Sequence, residues 1–385
     1  MQAIKPSPTL AITAKAKAMS ANGIDVISFG AGEPDFDTPS EICDAAIHAI
    51  QSGDTRYGPS AGSPALRQAI SEKFYRENKL KYDPAQIVVS CGAKHSIYNA
   101  LQVLVNPGDE VILIAPYWMT YADQILLAGG TPVVVQTNAE NQFRPTLEQL
   151  EAAVSSNTKA IIINSPSNPT GAILERDDLK TIAALALKRG FWIITDEIYE
   201  RLTYDGKQHQ SIAALSQDVY NQTITVAGCS KTFAMTGWRI GYIGAPEFIA
   251  KAIGMLQDQV TSNPTSFAQA GAIAALKMQD EKVVAMREEF QRRRDLIVKL
   301  INEVPNLSVN VPSGAFYAFV DVQKSLLPGQ TDVELASTIL EHAHVATVPG
   351  SVFMAPGFIR MSYATNQTLI AEGVERIKNF LAKQA

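Results

Sequence analysis

From about residue 41 to residue 280 the chain switches repeatedly between short, very apolar runs and segments of helix length. Nearly every apolar run ends in a cluster of turn-forming polar residues. Strand-length runs fall at 87–90, 110–115, 132–136, 160–164, 192–195, 223–227 and 240–244, and segments such as 94–105 and 176–189 fit helices between them. A strand must bury its faces, and a helix placed between two strands carries the chain back to start the next one alongside. The pattern therefore predicts an α/β fold, a mainly parallel seven-stranded sheet with helices on both faces. In such sheets ligands gather at the carboxyl ends of the strands.

A chain of 385 residues is long for one core, and its character changes after about residue 280. A long stretch of alternating charge at 281–299 reads as a helix, followed by strand-like runs at 315–321 and 344–348 and a closing helix at 367–383. The expected division is an N-terminal arm, residues 1–40, joined to a small α+β domain of residues 281–385, with residues 41–280 as the large domain. A net charge of -5 speaks against nucleic acid or an anionic membrane as partner. The run Arg292-Arg293-Arg294 is read as a solvated helix face. No apolar stretch approaches the roughly 20 residues that span a bilayer. Cys43, Cys91 and Cys229 stand too far apart for a disulfide framework or a zinc site, so no metal is expected and a reducing, cytoplasmic setting is.

The residues at the strand ends carry the chemistry. Ser230 and Lys231 follow an apolar run, which brings the amine into a cleft beside hydroxyl and backbone donors suited to an anion. A lysine in a partly dry, positively charged place loses affinity for its proton and becomes a nucleophile able to form a Schiff base with an aldehyde cofactor. Arg239 then holds the cofactor's phosphate, together with the small-residue turn at Gly92, Ala93 and Lys94, where backbone amides open a helix. Asp196 ends another apolar run, and a buried carboxylate needs a cation such as a protonated pyridine nitrogen. On its own it is more often a helix cap. Tyr199 and Asn168 are placed to donate to a phenolic oxygen, Trp118 to stack on a ring. Arg360, alternating with Ile359 and Met361 in a strand, offers a fork that fits a carboxylate.

Taken in order, Ala31-Gly-Glu-Pro-Asp-Phe36, Tyr57, Pro116-Tyr-Trp118, Ser167-Asn-Pro-Thr-Gly171, Asp196-Glu-Ile-Tyr199, Ser230-Lys231 with Arg239, and Arg360 resemble the fold-type I pyridoxal-phosphate aminotransferases of class I. The likeness is greatest to the bacterial aspartate aminotransferases and runs over essentially the whole chain. It implies that Lys231 is the Schiff-base lysine, Asp196 the partner of the pyridine nitrogen, and Asn168 and Tyr199 the partners of the phenolic oxygen. It also implies that Gly92, Ala93, Lys94, Ser230 and Arg239 surround the phosphate. Tyr57 is then expected to reach across from a second subunit of a homodimer with shared sites. Gly32, Trp118, Asn168 and Arg360 are expected at the substrate, and Lys5, Thr9 and Lys94 at its distal carboxylate, as in the branch that also acts on prephenate. The implied reaction moves the amino group of aspartate to 2-oxoglutarate, with small amino and oxo acids as its only partners besides the second subunit. The alternatives are an aromatic or alanine aminotransferase, a carbon-sulfur lyase of the same fold, and a non-catalytic regulator that keeps the fold.

Overall fold

The computed structural model describes residues 8–384. Its strands are β1 (Ile27–Ser28), β2 (Ile87–Ser90), β3 (Glu110–Ala115), β4 (Thr131–Gln136), β5 (Thr158–Asn164), β6 (Trp192–Asp196), β7 (Thr223–Gly228) and β8 (Gly241–Gly244). Then come β9 (Ser308–Val309), β10 (Tyr317–Asp321), β11 (Val345–Ala346), β12 (Val348–Pro349) and β13 (Phe358–Ser362). Seven of them form one sheet in the order β2-β8-β7-β6-β5-β3-β4. All pairings in it are parallel except those of β8, which runs antiparallel to both β2 and β7.

The apolar runs form central strands because each is wanted on both faces. On one face Val111 and Leu113 of β3, Ile162 of β5 and Ile194 of β6 share a core with Ile97 and Leu101 of the helix Ala93–Leu104. On the other, Ile112, Ile161 and Ile193 pack with Leu179, Ile182 and Ala186 of the helix Arg176–Arg189. Alternate residues of one strand thus serve two cores, which is why these strands read as continuous hydrophobic runs. The helix Arg176–Arg189 has sharp local signals as well: Asp177 and Asp178 in its first turn, Lys188 and Arg189 in its last, and Gly190 at φ 78° to end it. These charges complement the helix dipole, and glycine takes the left-handed cap without strain.

A second sheet, antiparallel in the order β12-β13-β10-β9, comes from the C-terminal part. The expected single strand at 344–348 is two short ones. Val345–Ala346 pairs in parallel with β1, whereas Val348–Pro349 pairs with β13, so the chain changes partner at buried Thr347. The β1–β11 pairing ties the N-terminal segment to the C-terminal part, and Ile27 and Phe29 enter its core beside Val345 and Val374.

One expectation is corrected. The long helix Glu281–Asn302 exposes Arg292 but buries Arg293 and Arg294. Three consecutive helical residues sweep about 200° of the helix surface, so they cannot all share a solvated face. Arg293 reaches Asp35 at 2.7 Å, and Arg294 grips the carboxylate of Asp205 through both terminal nitrogens, at 2.9 and 2.8 Å, while donating to the Pro312 carbonyl at 2.7 Å. Among the described residues no helix is long and apolar enough to cross a membrane.

Candidate active site

A cavity of about 940 Å³ opens at the carboxyl ends of the large sheet. Four parallel strands deliver side chains into it from the segments just beyond their ends: Trp118 after β3, Asn164 and Asn168 at and after β5, Asp196 at the end of β6, Ser230 and Lys231 after β7. Because β8 is antiparallel it begins where its neighbours finish, and this brings Arg239, two residues ahead of it, to the same rim. Ala93 and Lys94 enter from the turn after β2, Gly32 from the segment after β1, and Arg360 and Tyr317 from the second sheet.

Asp196 is buried on the floor of the cavity. The Tyr121 hydroxyl donates to its Oδ2 at 2.7 Å and the Ile198 amide to its Oδ1 at 3.2 Å. Burial outweighs those donors and pushes its carboxyl up to about 6. Lys231 donates to the carbonyl oxygen of Gly32. Its amine is held down to about 8, first by burial and then by the charges of Arg239 and Arg360, although the cleft leaves the side chain partly open to water. A lysine at that value is a free amine in a substantial fraction near neutrality, as a nucleophile or general base requires.

Arg360 is the most unusual group in the cavity. It is 4% exposed, donates to Asn168 Oδ1 at 2.9 Å and to the Gly30 carbonyl at 3.0 Å, and lies over the Tyr317 ring at 4.5 Å. Among the described residues it has no carboxylate partner, and its Nε is buried without any hydrogen bond. Burying a guanidinium without an anion is costly, so the arrangement suits a carboxylate arriving from outside. Tyr199 shares a 2.9 Å hydrogen bond with the Tyr317 hydroxyl and faces the same space.

The rim forms an anion cradle. The helix Ala93–Leu104 points its first turn at the cavity, and its cap Gly92 has φ 90°, where only glycine is unstrained. A Cβ on Gly92 would meet Arg239 Nη2 at 2.5 Å, and one on Gly241 would meet the Ala93 nitrogen at 2.1 Å, so both glycines allow backbone and guanidinium to close up. Arg239 is steadied by the carbonyls of Thr236 at 2.8 Å and Cys91 at 3.3 Å. Lys94 Nζ stands 4.7 Å from the centre of the Trp118 ring.

Of the residues singled out in the sequence, Gly32, Ala93, Lys94, Trp118, Asn168, Asp196, Tyr199, Ser230, Lys231, Arg239 and Arg360 line this one cavity. Gly92 does not line it but lies against the Arg239 guanidinium that does. Tyr57 lies outside it and is 92% exposed. Thr9 sits in the first turn of the helix Pro8–Ala21 with only its backbone described, and Lys5 lies outside the described residues. Sequence reasoning missed Tyr121, Tyr317, Thr236 and the helix residues Lys17 and Ser20, which also line the cavity. Tyr121 is three residues beyond Trp118, but nothing in the pattern says which way its hydroxyl turns.

The family model described as aminotransferase class I and II matches residues 24–377. A probable aspartate/prephenate aminotransferase of Aquifex aeolicus is 50% identical over 380 residues, covering 98% of this chain and 96% of the relative. An aspartate aminotransferase of a Bacillus species, strain YM-2, is 49% identical, covering 99% of this chain and 98% of the relative. The crystal structure of an aspartate aminotransferase from Rhizobium meliloti superposes with a TM-score of 0.95 at 42% identity, covering 99% of this chain and 97% of that one.

Proposed function

Because the chain belongs to the class I and II aminotransferases, we propose that it moves the amino group of aspartate to 2-oxoglutarate with pyridoxal phosphate as cofactor, giving oxaloacetate and glutamate. The observation that carries this is one cavity holding a lysine of lowered proton affinity and, among the described residues, a buried carboxylate without a cation bonded to it and a buried guanidinium without an anion. That donor set fits the cofactor. Asp196 suits a pyridine nitrogen, the Gly92–Lys94 turn with Ser230 and Arg239 suits a phosphate, and Asn168 and Tyr199 face the space where a phenolic oxygen would lie. Trp118 supplies an aromatic face.

Bound at this place, pyridoxal phosphate supplies an aldehyde for the amine and a ring that accepts electrons. The chain's own residues do the rest. Arg360 binds the α-carboxylate and orients the amino acid, with Asn168 fixing the guanidinium plane. Lys231 Nζ takes the proton from Cα and later returns one, a role that its value of about 8 permits near neutral pH. Asp196, once paired with a cation, is ionised and holds that cation's proton in place. Lys94, with Lys5 and Thr9 of the N-terminal arm, receives the distal carboxylate.

The relative named for prephenate makes that oxo acid the second acceptor we propose, with arogenate as product. We also place the exposed Tyr57 at the site of a second subunit in a homodimer, and assign residues 1–40 to a small domain with 281–385, which the β1–β11 pairing supports. The unpaired state of all three cysteines accords with a cytoplasmic setting. The test is the half-reaction: aspartate added to the cofactor-loaded protein bleaches its visible absorbance and releases oxaloacetate, and 2-oxoglutarate restores the absorbance while forming glutamate. Release of pyruvate and ammonia without a second oxo acid would show a lyase instead.

A further inference from the structure

Behind Asp196, on the opposite face of the sheet edge, lies a second polar cluster that the reaction above does not use. Strand alternation turns Glu197 away from the cavity, and it is 1% exposed. Its Oε1 accepts from Ser211 at 2.7 Å and Thr195 at 3.2 Å, and its Oε2 from Asn78 at 3.1 Å. Asn78 also donates to Glu200 at 2.7 Å, and Lys73 bonds Glu200 and Asn78. The imidazole of His209, 8% exposed, places Nε2 2.9 Å from Glu197 Oε2. Neither ring nitrogen has a well-directed hydrogen-bond partner among the described residues, and the contact with Glu197 is a close approach of an imidazole to a carboxylate.

The charges around His209 pair off. Lys73 answers Glu200. Glu77, at the margin, is answered by Arg201 at 3.2 Å, which also reaches Asp280 at 2.8 Å. Tyr82, Tyr242 and Cys229, which also face the cluster, are kept neutral by burial. Among the described residues, His209 is the cation paired directly with Glu197, and Lys73 adds to the attraction. Burial opposes the imidazolium, yet the attraction of Glu197 and Glu200 outweighs it and raises the histidine above its ordinary range. Burial likewise acts against the charge on Glu197, and His209, Ser211 and Lys73 together hold its carboxyl below the usual range.

We propose that His209 is a positioning residue that stays an imidazolium and cancels the charge of Glu197, so that the neighbouring Asp196 keeps its negative charge for the cation bound in the cavity. The proposal deepens the reading of that cavity as a pyridoxal-phosphate site and rests on it. An uncompensated Glu197 would repel the Asp196 carboxylate and raise its proton affinity, so that Asp196 would hold a cationic ring nitrogen less well.

Two measurements test this. Nitrogen-15 NMR of the histidine side chains in the wild-type holoenzyme, with His209→Gln identifying the signal, is expected to show His209 doubly protonated at pH 7. A neutral ring there overturns the proposal whatever the cavity binds. The pH midpoint of the cofactor's visible absorbance is then compared in wild type, His209→Gln and the double variant His209→Gln/Glu197→Gln. His209→Gln is expected to shift the midpoint by on the order of one unit, the size of an uncompensated charge acting through a partly screened interior. The double variant is expected to return it to the wild-type position. A purely structural histidine would lower stability and leave the midpoint in place, and that result refutes the role. If no visible band forms in any variant, the cofactor reading has failed, and with it the role of His209 towards the cofactor, although an imidazolium seen by NMR would still establish the charge pair.

Discussion

Replacing Tyr121 by phenylalanine removes one hydroxyl and leaves the ring's packing unchanged. That hydroxyl is the shorter of the two protein donors to Asp196, at 2.7 Å against 3.2 Å for the Ile198 amide. A hydrogen bond to a buried charge contributes about 1.5–3 kcal/mol, which at about 1.4 kcal/mol per unit raises the carboxyl by roughly 1–2 units. Starting from about 6, Asp196 in the cofactor-free variant titrates between roughly 7 and 8. The sign follows from linkage. An acid whose folded pKa is raised contributes stability that is complete below its unfolded range and is lost as pH climbs through the folded value. Wild-type apoprotein loses that contribution up to about pH 6, whereas the variant goes on losing it for another unit or two. Urea unfolding of both apoproteins at pH 5 and pH 8 measures this directly. The difference between them is expected to be small at pH 5 and to widen by about 1.5–3 kcal/mol at pH 8. The same difference at both pH values would mean that the hydroxyl does not act through the charge on Asp196.

Arg360→Lys keeps the positive charge but loses the fork, and kcat/KM for aspartate is expected to fall by roughly a hundredfold or more in steady-state assays, with cofactor affinity nearly unchanged. In the apoprotein, the rate of imine formation at Lys231 with an added aldehyde should rise about tenfold per pH unit and level off above about pH 8. A rate still climbing at pH 10 would mark an ordinary solvated amine. Arg294→Ala should cost about 2–4 kcal/mol in denaturant unfolding because it empties the space of a buried side chain and leaves the Pro312 carbonyl without its donor, the half-exposed Asp205 adding little, whereas Arg292→Ala, at an exposed position, should stay within about 0.5 kcal/mol.

Most of the sheet was legible because its strands are buried on both faces. A run such as Lys159-Ala-Ile-Ile-Ile163 leaves little room for another reading. The cavity residues were legible for a related reason: parallel strands deliver their next few residues to one edge, so the turn motifs at 92–94, 168, 196 and 230–231 had to meet. Elsewhere the information is tertiary. The reversal of β8 is not encoded in Gly-Tyr-Ile-Gly, which reads alike in either direction, yet that reversal brings Arg239 to the rim. The split of the 344–348 run depends on two different neighbours competing for consecutive residues. The burial of Arg293 and Arg294 depends on Asp35 and Asp205, distant in sequence, and a local run of charge cannot reveal it.

The proposed chemistry begins at the amine of residue 231. Borohydride reduction of the protein loaded with pyridoxal phosphate, followed by proteolysis and mass spectrometry, locates the attachment directly. A single phosphopyridoxyl group on the peptide containing Lys231 is the expected result. The label on Lys94 or on another lysine, or no label at all, would contradict it.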